Sequence, residues 1–157
     1  MRAPGSLVAI AAAALVAGCG DSTGPDALQV GTGVTPTQFR AGDPVTVSVA
    51  VRNNRSTTIT IDPDPCQDPF TITTAAGAPV PMASRVCRPV LAPPRALRPG
   101  EELAIVRDWS GDVAPRQPTL GAGDAIAPGE YRVQGFVTSP EGRTLARGSA
   151  VTVRVLP

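Results

Sequence analysis

Four valines at every second position, Val45, Val47, Val49 and Val51, constrain the fold of this chain more than any other feature. Polar or small side chains occupy the positions between them. In a β-strand, successive side chains point to opposite faces, so this spacing places all four valines on one face. The segment therefore predicts a strand with one face against a core.

The same period of two recurs along the chain. Turn residues at 53–56 are followed by the β-branched segment Thr57–Asp62, which predicts a second strand that forms a hairpin with the valine strand. The other predicted strands are Phe70–Thr74, Val80–Met82, Arg85–Leu91, Glu102–Trp109, Tyr131–Val137 and Val151–Val155. Short strands between Gly and Pro turns predict an antiparallel sandwich or barrel. We expect Trp109 to be a bulky core residue rather than a platform for a ligand.

The N-terminal 18 residues are typical of an export signal. An apolar run without charge extends from Leu7 to Val16, and it is shorter than the roughly twenty residues that a membrane span needs. The segment Leu15-Val16-Ala17-Gly18-Cys19 resembles the lipobox of bacterial lipoproteins. That resemblance implies cleavage before Cys19, a lipid thioether on its sulfur and an acyl group on its amine. The alternative is an ordinary signal peptide in which Cys19 is incidental.

The segment after Cys19 is expected to be a flexible tether. Residues 20–26 are small, polar and turn-forming, so we divide the chain into a signal at 1–18, a tether at 19–27 and a domain at 28–157. We expect the chain in the cell envelope, lipid-anchored and extracytoplasmic. Gly20 rather than Asp follows the cysteine, which favours the outer membrane if the organism has one.

The absence of lysine and histidine excludes several catalytic mechanisms. All 14 basic residues are arginine, and histidine is absent. Without His there is no Ser-His or Cys-His relay, and without Lys there is no Schiff base. The commonest transition-metal ligand is missing as well. We therefore expect that the protein is not an enzyme and binds no cofactor. The numbers of acidic and basic residues after residue 18 are equal, which indicates no nucleic-acid partner.

Two cysteines remain once Cys19 is assigned to lipid. In an oxidising compartment we expect Cys66 and Cys87 to form a disulfide. It would close a loop of about twenty residues and stabilise the fold by roughly 3 kcal/mol. A redox-active pair is the alternative, but the spacing is not Cys-x-x-Cys.

A family resemblance follows from the order of several short motifs. These are Arg52-Asn53-Asn54, the Cys66 segment, Ala76-Gly77-Ala78-Pro79-Val80, Leu97-Arg98-Pro99-Gly100-Glu101 and Ile126-Ala127-Pro128-Gly129-Glu130-Tyr131. Together they resemble the bacterial intracellular proteinase inhibitor (BsuPI-like) family. The resemblance implies an all-β, immunoglobulin-like antiparallel β-sandwich, here with about seven to eight strands. Both Pro-Gly pairs suit type II turns, and Tyr131 suits a tyrosine corner.

Two segments are candidate sites. Arg85, Arg88, Arg95 and Arg98 lie in a Pro-rich segment that predicts either a contact loop for a protease or a plain loop between strands. Asp62, Asp64 and Asp68 predict either a solvated acidic loop or a calcium site. We expect a binding or structural module that contacts the membrane through Cys19 and an unidentified protein or envelope partner. The alternative function is inhibition of an envelope or secreted protease.

Overall fold

The valine segment forms the central strand of a three-stranded sheet. The structure, a computed structural model, describes residues 28–83, 92–113 and 124–157. Its strands are β1 Leu28–Thr35, β2 Gln38–Arg40, β3 Val45–Asn53, β4 Ile59–Ile61, β5 Phe70–Thr74, β6 Pro79–Val80, β7 Arg95–Leu97, β8 Glu102–Trp109, β9 Asp112–Val113, β10 Asp124–Ala125, β11 Gly129–Thr138, β12 Thr144–Arg147 and β13 Val151–Leu156. The described residues contain no helix, so none of them forms an apolar helix that could cross a bilayer.

The smaller sheet has the strand order β1-β3-β8, and both of its pairings are antiparallel. All four predicted valines of β3 are fully buried. Their burial confirms the period-two interpretation, because the residues between them face outward. The buried row of β8 contains Ile105 and Trp109, also as predicted.

The larger sheet has the order β2-β13-β11-β5-β6, and β12 also pairs with β11. Strands β12 and β13 follow each other along one edge of β11, separated by residues 148–150. The first part of the domain contributes to both sheets, because β1 pairs with β3 whereas β2 pairs in parallel with β13. The cis peptide bond Thr35-Pro36 lies between these two strands.

These two sheets confirm the predicted immunoglobulin-like antiparallel β-sandwich. Seven of the described strands have four residues or more, and each of the others has only two or three. The inward rows form the core, which consists mainly of Val, Ile, Leu and Phe.

Trp109 is a core residue, as predicted. Only 4% of its surface is exposed. Its ring meets Phe39 and Phe70 edge-on, with centroids 5.5 and 6.4 Å away. The indole Nε1 donates to the carbonyl of Asp112 at 3.1 Å, so its polar atom is satisfied inside the core.

The predicted hairpin between the valine strand and Thr57–Asp62 is wrong. Strand β4 pairs with β7 instead, with Ile59 opposite Leu97 and Ile61 opposite Arg95. Both edges of β3 are already occupied by β1 and β8, so β3 offers β4 no free backbone groups. The hydrophobic pattern predicted the strand itself but not its partner.

The two Pro-Gly turns differ. At Arg98–Glu101, Gly100 has φ of 78° and the N–H of Glu101 donates to the Arg98 carbonyl at 3.0 Å, which confirms a type II turn. At the second pair, Gly129 has φ of 157°, which does not fit that turn. There the Ala127 carbonyl accepts a hydrogen bond from the Tyr131 hydroxyl at 2.9 Å, so the predicted tyrosine corner is present.

Candidate contact surface

The described half of the arginine-bearing segment is a strand followed by a tight turn. Arg95 lies in β7, where the sequence predicted a loop, and Arg98 begins the turn at Arg98–Glu101. Both side chains are exposed, whereas Leu97 between them is fully buried. Burial of Leu97 and pairing with β4 therefore hold the two arginines on the surface in a defined backbone.

Glu101 organises this turn. Its Oε1 lies 3.3 Å from Arg95 Nη2, and its Oε2 accepts a hydrogen bond from the Arg98 N–H at 2.9 Å. The hydrogen bond from the Arg98 N–H, followed by that from the Arg95 side chain, lowers the pKa of Glu101 below its ordinary value. The charge of Arg95 is thus partly neutralised locally, and the guanidinium of Arg98 is the more available of the two.

The acidic segment uses its carboxylates to shape its own backbone. Asp62 Oδ1 accepts from the N–H of Asp64 at 3.1 Å, and Asp64 Oδ1 accepts from the N–H of Cys66 at 2.8 Å. These are Asx turns, in which an aspartate stabilises a bend two residues ahead. No group of three or more metal-ligating side chains occurs within residues 28–83, 92–113 and 124–157.

Arg107 anchors the acidic segment to the sandwich. It lies in the inward row of β8, which sequence analysis assigned only to apolar residues. Its Nη2 donates to the Asp64 carbonyl and its Nη1 to the Val106 carbonyl, both at 3.0 Å. An inward-pointing charge beside an edge strand also discourages pairing with another chain.

Several predicted site residues lie outside the described residues: Cys19, Arg85, Cys87 and Arg88. Cys66 is disulfide-bonded. Its pairing with Cys87 stays a prediction because Cys87 is not among the described residues.

Sequence analysis missed a second group of arginines. Arg132, Arg147 and Arg154 are exposed on the outer face of the larger sheet, and Arg40 lies beside them on β2. The local signal was present, since Arg132 and Arg154 each sit between two buried residues of a strand. These arginines do not stand out as a cluster in the sequence, because strand pairing brings them together and they are not close along the chain.

Comparisons with known proteins give no family. No family model matches the chain, and no curated protein does. Solved structures that match include the alkylpurine DNA glycosylase AlkC of Pseudomonas fluorescens bound to DNA, with a TM-score of 0.46 and 16% identity over 83% of this chain and 30% of that one.

A CARDB domain from Pyrococcus furiosus in complex with di-metal ions matches with a TM-score of 0.42 and 14% identity, over 82% of this chain and 84% of that chain. A β-glucosidase from Listeria innocua in complex with glucose matches with a TM-score of 0.41 and 17% identity, over 83% of this chain. This chain spans 30% of the glycosylase and 16% of the glucosidase. These similarities assign no function to this chain.

Proposed function

We propose that this chain is a lipid-anchored, extracytoplasmic binding module of the cell envelope and has no enzymatic activity. The observation that carries the proposal is the segment Leu15–Cys19, an apolar and small-residue run that ends in a cysteine. Two or more acyl chains on one residue give stable membrane attachment, whereas a single chain does not. The surface loops and edge strands of the β-sandwich are then available to a protein or envelope partner.

The segment between Cys19 and β1 suits such a tether. Its nine residues, 19–27, have a reach of about 30 Å when extended. Its small and polar composition is that of a linker, and a tether of this reach would hold the β-sandwich close to the bilayer.

Exchange of Cys19 tests the anchor. The full chain and Cys19→Ala are expressed in a bacterial host, and membranes are washed at high salt and alkaline pH. We expect the parent chain in the membrane pellet, with the mass of an acylated N-terminus, and the variant outside it. The double variant Cys66→Ala/Cys87→Ala is the matched control and should stay in the membrane. Retention of Cys19→Ala in washed membranes would contradict acylation.

Inhibition of a protease is the second candidate function. The observation that favours it is the constrained exposure of Arg98, whose backbone N–H is held by Glu101 at the start of a closed turn. A preorganised contact residue loses little conformational entropy on binding. At micromolar concentration the protein should slow an arginine-specific serine protease, and Arg98→Ala should relieve this whereas Arg55→Ala should not. Equal protease rates with and without the protein would exclude this function.

A further inference from the structure

The outer surface of the larger sheet carries several exposed arginines. We name Arg132, Arg147 and Arg154, together with Arg40 of β2, the cationic face. All four side chains are exposed. The neighbours of Arg132 and Arg154 along the strands, such as Val133 and Val153, are buried on the other side of the sheet. The guanidinium groups therefore share one side of the sandwich.

Strand register gathers residues that are far apart in sequence. Arg132 lies opposite Thr152, and Arg154 lies opposite Glu130 on one side and Gln38 on the other. Arg132 and Arg154 are thus diagonal neighbours, with side chains that start about 7–8 Å apart. Arg147 lies opposite Phe136 and places its guanidinium 5.4 Å from the centre of that half-buried ring.

Few acidic groups oppose Arg132, Arg147 and Arg154, whereas Arg40 has partners of its own: its Nε donates to the Pro157 carbonyl at 3.1 Å and its backbone N–H to Asp43 Oδ2 at 2.8 Å. Glu130 is the one acidic residue in β2, β5, β6, β11, β12 and β13. Among the described residues, Arg132, Arg147 and Arg154 form no ion pair, in contrast to Arg95. The outer face of the smaller sheet differs, since Arg52 is accompanied there by Glu102 and Asp108.

We propose that the cationic face lies against the anionic phospholipid head groups of the membrane that holds the chain, which rests on the anchoring proposed above. Guanidinium groups bind phosphate through paired hydrogen bonds, and basic residues next to an anionic leaflet are attracted to it. A tether of nine residues keeps the face at a high local concentration beside the bilayer. Arg132, Arg147 and Arg154 lie on one face of neighbouring strands, so the same membrane surface can contact all three. The β-sandwich therefore rests on its larger sheet and exposes its smaller sheet to the envelope.

Arginine footprinting on the acylated full-length product tests this orientation. The protein is reconstituted into vesicles of phosphatidylcholine alone, or of equal parts phosphatidylcholine and phosphatidylglycerol. Phenylglyoxal then modifies exposed arginines, and mass spectrometry gives the rate at each one. We expect Arg132, Arg147 and Arg154 to react about fivefold more slowly on the anionic vesicles than on the neutral ones. High salt should abolish this difference in rate. Arg52, on the opposite face, should react equally on both.

A different orientation of the sandwich on the membrane would protect a different set of arginines. If the sandwich stood on the end that carries Asn53 and the Arg98 turn, Arg55 and Arg98 would be protected instead of Arg132. That outcome, or equal rates at every arginine, would overturn the proposal. The variant Arg132→Glu/Arg154→Glu should lose the protection of Arg147, whereas Arg52→Glu/Arg55→Glu should keep it.

Membrane anchoring through Cys19 is measured separately in the same samples. Retention on neutral vesicles after a salt wash reports the lipid on Cys19 and does not depend on the cationic face. A chain that stays on neutral vesicles but shows no arginine protection on anionic ones retains its anchor and refutes the orientation. A chain that leaves neutral vesicles but binds anionic ones with protected arginines refutes the anchor alone.

Discussion

The side-chain amide of Asn53 donates a hydrogen bond to the carbonyl of Leu97 at 2.9 Å, although 44 residues separate them. The same nitrogen donates to the Thr57 carbonyl at 2.9 Å, and Oδ1 accepts from the N–H of Arg55 at 3.0 Å. The backbone of Asn53 is bonded to Glu101 and Gly100. This fully buried residue therefore joins the end of β3 to β7 and to the arginine turn.

Removal of the Asn53 side chain should be strongly destabilising. Asn53→Ala leaves buried polar partners unpaired, each at a cost of about 1–3 kcal/mol, and we expect a total loss of about 3 kcal/mol. Urea unfolding followed by tryptophan fluorescence measures it. The control is Asn54→Ala, which should change stability by less than about 0.5 kcal/mol. Similar stability of the two variants would show that the Asn53 bonds do not hold these segments together.

The tyrosine corner makes a smaller contribution. Tyr131→Phe keeps the ring in the core and removes only the hydrogen bond to Ala127, so we expect a loss of about 1 kcal/mol. Thr152→Val, which removes an exposed hydroxyl from the neighbouring strand, should stay within about 0.5 kcal/mol of the parent. Equal unfolding midpoints for Tyr131→Phe and the parent would contradict this role of the hydroxyl.

A close approach between the two sheets requires glycine at position 148. A β-carbon there would lie 2.8 Å from Thr32 Oγ1 and 2.9 Å from the Val30 carbonyl oxygen. Thr32 Oγ1 is already engaged, because it accepts a hydrogen bond from the N–H of Gly135 at 2.9 Å. Gly148→Ala should therefore cost about 1–3 kcal/mol through forced separation of the sheets.

Gly31→Ala is the matched control for that substitution. Its β-carbon would meet nothing closer than 3.8 Å, an ordinary contact with Ala50. Thermal unfolding should show a lower Tm for Gly148→Ala and no decrease for Gly31→Ala. A Tm of Gly148→Ala equal to that of the parent would mean that the sheets separate there without strain.

The lowered pKa of Glu101 predicts a pH dependence. A carboxyl group whose pKa is lower in the folded than in the unfolded state stabilises the fold above its unfolded pKa, and that contribution is lost as the pH falls through the folded value. Glu101→Gln should therefore be less stable than the parent at neutral pH, and the difference should shrink below about pH 4.3, the ordinary glutamate pKa. A carboxyl titration by NMR with its midpoint at or above the ordinary value would refute the Arg98 and Arg95 interactions. Glu102→Gln controls for loss of a neighbouring charge.

The disulfide of Cys66 is open to direct mapping. Proteolysis without reductant, followed by mass spectrometry, should yield one peptide pair that contains Cys66 and Cys87. Reduction should lower the free energy of unfolding by roughly 3 kcal/mol, the value for a loop of this length. Recovery of Cys66 joined to a second copy of the chain would replace the predicted pairing.

Part of this structure follows from local pattern alone. Alternation in residues 45–51 predicted β3 and its buried face, and the limits of β5 and β8 agree with the predicted Phe70–Thr74 and Glu102–Trp109. Side-chain direction in a strand depends only on the parity of the position, so a chain carries this information without any partner.

Strand partners and surface composition depended on the tertiary structure. β4 pairs with β7 because β3 has no free edge, and Asn53, which looked like a turn residue, became a buried junction because Leu97 and Gly100 come to it from distant positions. The cationic face was hidden for the same reason: its arginines become neighbours only when β11, β12 and β13 align. The sequence alone determined which way each side chain points, whereas the competition among strands for free edges, a property of the whole sandwich, determined which side chains meet.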